Sequence, residues 1–282
     1  MLGLIFLTWE KYVTERFGEK LLLQYRSSMG EAAATALVAG RYYDDALLVK
    51  GVETVCQLTR LPSDVLLREY GRYYMTNGLT GKLCAYLLTG VHSGEELLLA
   101  MRDSHARLRT TFEGATPPAF EYGATNDPHT VVLLYRSERH LCPVLHGAIE
   151  GAAMRYHEVV HIQEQTCMNR GANACRFEAR FFPNPSTNSG PLAERESHQL
   201  WQRQLADLIL VSLPPFESGT GWTLRDIGAV LSSRGAHAYY QRPAVLLEAV
   251  QHLQFAGLIR SSANEHTDAM MTRRYWRTPS LA

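Results

Sequence analysis

His105 stands on an apolar stripe, thirteen residues before Pro118 and thirty before the run Tyr135-Arg136-Ser137-Glu138-Arg139. A neutral imidazole on such a stripe can ligate a buried metal, iron included. The competing reading is a core histidine hydrogen-bonded to a neighbour. In a strand, period-two geometry would put Tyr135, Ser137 and Arg139 on one face. Two hydroxyls and a guanidinium there could hold two carboxylates, with arginine supplying charge-assisted, bidentate bonds. A solvated strand face is the plain alternative.

Cys142, His161, Cys167 and Cys175 form a second group. Three thiolates and one imidazole suit a closed Zn²⁺ site, although His161-x5-Cys167-x7-Cys175 is not a standard finger spacing. His157 lies four residues before His161, could share a helix face with it, and could replace it. Separate free cysteines and surface histidines are the alternative. Cys56 and Cys84 sit among apolar residues and read as inert core thiols.

The elements that must position these groups are visible in the periodicity. Residues 1–112 read mainly as helices. Ser93-Gly94-Glu95-Glu96 is a capping-box start. Behind it Leu98, Met101, His105, Leu108 and Phe112 share one helical face, with Gly114 and Pro117-Pro118 as the stop. Ala119–Tyr122 and Thr130–Arg136 then read as strands joined by the turn-prone Asn126-Asp127-Pro128. Val144–Tyr156 reads as a helix and Cys175–Phe181 as a half-exposed strand.

Histidine, proline and the Y-x-S-x-R run, taken together, resemble the heme nitric oxide/oxygen-binding (H-NOX) family over residues 1–182. The likeness includes Gly3, Ile5 and Trp9, the segment Gly114-Ala115-Thr116-Pro117-Pro118, and the helix Gly147-Ala148-Ile149-Glu150-Gly151. The resemblance implies an α+β domain, N-terminal helices followed by an antiparallel sheet with helices, holding heme b. It implies His105 as the axial iron ligand, Pro118 pressing on the porphyrin, and Tyr135, Ser137 and Arg139 clamping the propionates. Ile5, Trp9, Tyr74 and Val144 would line the pocket. In the family, nitric oxide weakens the iron–histidine bond and the helix carrying the histidine shifts. Oxygen-binding members carry a distal tyrosine where this chain has Val144. An apolar wall cannot stabilise bound oxygen, so nitric oxide, and carbon monoxide with it, is expected to win. Tyr74 departs from that pattern: a hydroxyl reaching the iron would restore oxygen binding. Some members also hold zinc near the position of the Cys/His group, with thiols that respond to oxidation.

The chain has 282 residues, enough for a large domain and a small one. Lys+Arg and Asp+Glu both number 28, so no global field selects a partner. The apolar start is short and lacks a basic n-region, and no run of roughly 18 apolar residues is present, so no signal peptide or membrane span is expected. Five cysteines without scaffold density favour a cytoplasmic protein. Residues 183–194 read as a linker and 195–282 as a small, mostly helical module: helices at Leu200–Leu213, Thr223–Leu231 and Pro243–Ala256, then a hairpin at 258–260 and 270–277. That is the order of a winged helix, a fold that can meet DNA through its third helix and hairpin. Nine arginines against seven acidic residues make the region only slightly basic, so dimerisation or docking on a signalling protein competes with DNA binding.

The expected function is a non-enzymatic heme sensor of nitric oxide that signals through this module. The alternative keeps the fold but binds a different tetrapyrrole or an apolar ligand, with zinc as the main metal. Peroxidase-type catalysis is disfavoured, because no distal acid–base residue is placed to support it.

Overall fold

A computed structural model describes residues 1–30, 37–111, 116–123, 125, 127, 129–183, 193–236, 238–262 and 272–278. Phe112, Gly114 and Ala115 of the expected helix stop lie outside the described residues. So do Asn126 and Pro128, linker positions 184–192, and Met270 and Met271 of the expected hairpin. Among the described residues no helix is long and apolar enough to cross a membrane. The chain folds as two compact units, which do not follow one another in simple chain order.

The first unit comprises residues 1–81, 92–102 and 117–187. Its helices include α1 (Gly3–Phe17), α2 (Glu19–Met29), α3 (Asp45–Thr59) and α4 (Ser63–Thr76). After the short helices α5 (Gly78–Leu83) and α6 (Ala85–Leu88) comes α7 (Gly94–Thr111). As expected, the Ser93 hydroxyl caps α7 by accepting from the Glu96 amide at 3.1 Å. The reciprocal bond differs: the Glu96 carboxylate accepts from the His92 amide, not from Ser93.

Four antiparallel strands follow, in the order β1-β2-β4-β3: β1 (Ala119–Gly123), β2 (Thr130–Arg136), β3 (Glu158–Thr166) and β4 (Cys175–Pro183). Cys175, Phe177, Ala179 and Phe181 of β4 all point into the core, the alternation expected of a one-sided sheet. Strand β3 corrects the helical reading of 157–161. Val159, His161 and Gln163 face solvent while their neighbours are half-buried.

Helix α8 (Cys142–Arg155) packs on α4 at backbone distance. A Cβ on Gly71 would lie 2.1 Å from the Val144 carbonyl oxygen, and one on Gly147 would lie 1.9 Å from that of Arg68. A third, on Gly151, would lie 2.8 Å from the Arg72 carbonyl. Only glycine permits such an approach. At the rim Arg68 clasps Glu150 with both Nε and Nη2.

The second unit comprises residues 82–91, 103–116 and 188–282. Its elements include α6, the second half of α7, α9 (Ala193–Ser212), α10 (Leu224–Ser233), α11 (Pro243–Phe255), β5 (Ile259–Ser261) and β6 (Tyr275–Arg277). Thr223 and Asp226 cap α10 reciprocally. Leu205, Ile209, Leu224, Ile227, Leu231, Val250, Leu253 and Ile259 close one core with Tyr275. Trp222 pairs with Tyr275 as an isolated antiparallel bridge beside the β5–β6 hairpin.

The α4–α8 packing generates a prediction. Gly147→Ala forces a methyl group into a carbonyl that has nowhere to move, and should cost about 2 kcal/mol or more. A lowered urea midpoint with unchanged slope is the expected result.

Candidate functional site

Tyr135, Ser137 and Arg139 do come together, by a different route from the expected strand face. Strand β2 ends at Arg136. Tyr135 points into the core with its ring 5.5 Å from that of Phe120. The chain then turns. The Ser137 hydroxyl accepts from the Arg139 amide at 3.3 Å and the Ser137 carbonyl from the His140 amide at 3.1 Å. His140 takes a left-handed φ of 53°. The turn, not strand alternation, brings the Ser137 side chain within hydrogen-bonding reach of Tyr135, and Ser137 is itself buried. Burial pushes the Tyr135 phenol well above its ordinary value, against a smaller opposing effect of the Ser137 hydrogen bond. Tyr135 therefore remains a neutral phenol.

Arg139 supplies the charge. Its Nε pairs with the Asp45 carboxylate at the first turn of α3. Burial alone would raise the Asp45 carboxyl, but the hydrogen bond from Arg139 holds it below the usual carboxylate range. Sequence reasoning missed Asp45, because a carboxylate at a helix start is already explained by the helix dipole.

Ile5, Tyr74 and Val144 pack around one core that contains Trp9 and Tyr70. Trp9 is fully buried, with the Tyr70 ring edge-on at 5.2 Å and 83°. Tyr70, also missed from sequence, donates to the Ile5 carbonyl at 2.8 Å and lies 2.8 Å from the Thr8 hydroxyl. Its signal was there: it precedes Tyr74 by one helical turn. Tyr74 is half-buried, its ring 6.1 Å from that of Tyr70. Pro118 is half-buried immediately before β1.

His105 is half-buried on α7. It belongs to the second unit, whereas Pro118, Tyr135, Ser137 and Arg139 belong to the first. Within the first unit the donor types fit a heme: two hydroxyls and a guanidinium suit two carboxylates, and the same unit holds an apolar and aromatic core.

The metal-ligand group is smaller than expected. The Sγ atoms of Cys142, Cys167 and Cys175 lie within 4.8 Å of one another, all three residues buried. Cys142 opens α8, Cys175 opens β4, and their sulfurs are 2.9 Å apart. The Met168 amide donates to Cys175 Sγ at 3.2 Å. Burial raises all three thiols, Cys175 to about 11. His161 and His157 are not members of the group. His161 sits on the solvent face of β3, and His157 in the turn after α8 with φ 57°. Glu164 lies beside Cys167, where its hydrogen bond adds to the upward shift of that thiol. Cys56 and Cys84 are only half-buried.

The sequence model of the haem-NO-binding family matches residues 2–164. Among solved structures the chain is similar to an H-NOX protein from S. oneidensis in the Fe(II)NO state. The identity is 21%, over 64% of this chain and 99% of the other, with a TM-score of 0.58. An unliganded Fe(II) H-NOX protein from K. algicida matches at 16% identity, over 67% and 100%, with a TM-score of 0.56. An oxygen-binding H-NOX domain related to soluble guanylate cyclases, in its oxygen complex, matches at 19%, over 68% and 100%, with a TM-score of 0.58. A comparison with curated protein sequences finds no match. With helices, an antiparallel sheet and the heme-type donor set in place, the chain belongs to the haem-NO-binding family of heme-based gas sensors, whose α+β fold it adopts.

Proposed function

We propose that the protein is a non-catalytic sensor of nitric oxide, and of carbon monoxide, in preference to oxygen. The observation that carries the proposal is the buried Tyr135 and Ser137 with the half-buried Arg139, in the unit that also holds the Trp9–Tyr70 wall. Bound heme would supply an iron atom for a diatomic gas. Tyr135, Ser137 and Arg139 would hold its propionates, with Asp45 orienting the guanidinium, and His105 would supply a nitrogen ligand to the iron. Val144 offers no hydrogen-bond donor to a bound gas. The Tyr74 hydroxyl is the group whose reach decides oxygen rejection.

Residues 1–182 form the sensor in this reading and 195–282 the output; the linker expected at 183–194 is shortened at both ends, since Pro183 closes β4 and Ala193 opens α9. The output module is winged-helix-like: helix, short bridge, two helices and a hairpin, with Trp222 pairing as the first short strand. Protein docking or self-association suits it better than DNA. Every residue of Ala249–Ala256 except the half-buried Gln251 is buried, which is unlike a helix that enters a groove. The hairpin arginines are occupied as well. Arg273 is buried, Arg274 donates to the Gly221 carbonyl at 2.7 Å, and Arg260 lies 4.3 Å over the Phe216 ring.

Cys142, Cys167 and Cys175 are proposed to hold a structural zinc ion, which would take three thiolates and one further ligand. Deprotonated thiols would then replace three buried neutral ones. Five cysteines without the density of a disulfide scaffold fit a reducing compartment such as the cytoplasm.

Two experiments test this reading. The purified ferrous protein should show a Soret band that shifts with nitric oxide and with carbon monoxide but not with air. His105→Gly should abolish the native spectrum, and Arg139→Ala should accelerate heme loss. A folded chain without a Soret band overturns the sensor reading, and a stable oxygen complex overturns the gas preference. For zinc, metal analysis should return about one equivalent per chain. That equivalent should be lost in Cys175→Ser and kept in His161→Ala. Retention of zinc in Cys175→Ser rejects the site.

A further inference from the structure

The end of α11 is capped by the helix that carries His105. A helix leaves its last carbonyls without intrahelical partners. At α11 two of these are taken by α7. Ser104 Oγ donates to the Phe255 carbonyl at 3.0 Å, and Arg107 Nε donates to the Ala256 carbonyl at 2.7 Å. Ser104 is 4% exposed and Ala256 fully buried, so water cannot stand in for either donor. A guanidinium at this position also complements the negative end of the helix dipole. Burial opposes the charge on Arg107 and lowers its pKa, as expected for a cation enclosed by protein.

The approach is close at the backbone too. Gly257, at φ 70°, follows the cap. A Cβ there would lie 2.8 Å from Arg107 Cβ and 2.9 Å from the Leu108 amide nitrogen. The next two carbonyls, of Gly257 and Leu258, accept from the Thr278 hydroxyl beyond β6. The same short stretch therefore joins α7, α11 and the hairpin. His105 lies between Ser104 and Arg107 on a single turn of α7.

We infer that this capped helix end is the input of the C-terminal module, with Ser104 and Arg107 as the output contact of the His105 helix. The inference rests on the gas-sensing reading above. While His105 is tethered, its turn presents both donors to α11. A displacement of about 1 Å is enough to take them beyond hydrogen-bonding distance. Two buried carbonyls then lose their partners, and the last turn of α11 opens together with 256–258. Two states of one element, biased by the tether, are what a transmitted signal requires.

Hydrogen–deuterium exchange on the full-length heme protein, with and without nitric oxide, tests the inference. In the wild type, nitric oxide should raise exchange across 252–260 by roughly fivefold or more, the low end of ordinary site-to-site coupling. In a Ser104→Ala/Arg107→Gln double variant the raised exchange should be present before gas is added, and gas should add nothing, while the Soret shift is retained. Should that variant not fold, the wild-type comparison decides. A Soret shift in the wild type with unchanged exchange at 252–260 overturns the inference and leaves the sensor reading standing. The absence of a Soret band removes both.

Discussion

Helices α4 and α8 meet backbone to backbone, because Gly71, Gly147 and Gly151 leave nothing between them. Much of the first unit is placed by that approach. Helix α4 carries Tyr70 and Tyr74, and α8 starts at Cys142 and brings Val144 against the same core. A methyl group on any of these glycines would push the aromatic wall and the thiol cluster out of place together. The Arg68–Glu150 pair at the rim is exposed enough to add little stability. The close packing does the positioning.

The site shows polar groups held ready in apolar surroundings. Buried donors must be satisfied, and here partners are provided in sequence. Ser137 receives the Arg139 amide, Arg139 meets Asp45, and Tyr70 satisfies the Ile5 carbonyl. The result is a neutral phenol, a serine hydroxyl and one paired guanidinium in the unit that also holds an aromatic core, donor types that suit two carboxylates. The three thiols follow a different logic. Each is pushed toward its neutral form by burial, and a divalent cation is the partner that would reverse the preference.

Helix α7 belongs to both units, its first half to one and the His105 half to the other. A single α-helix transmits displacement along its axis because its hydrogen-bond ladder resists local stretching. The donors at Ser104 and Arg107 share a turn with His105, so a movement of that turn carries both donors with it.

Periodic features were legible from the chain alone: the apolar stripe through Leu98 and His105, the Ser93 cap, the β4 alternation and the Thr223 cap of α10. Each depends on neighbours within a turn or a strand, where spacing and side-chain type suffice. The donor types at Tyr135, Ser137 and Arg139 were legible for the same reason. Strand β3 was not, because its solvent face interrupts the apolar signal, and His161 was misassigned with it. That Ser137 and Arg139 meet through a turn, that Asp45 pairs with Arg139 across 94 residues, and that residues 103–111 pack with the C-terminal core are long-range outcomes. No local pattern encodes them, since they follow from which buried surfaces and unsatisfied carbonyls find one another once the chain is compact.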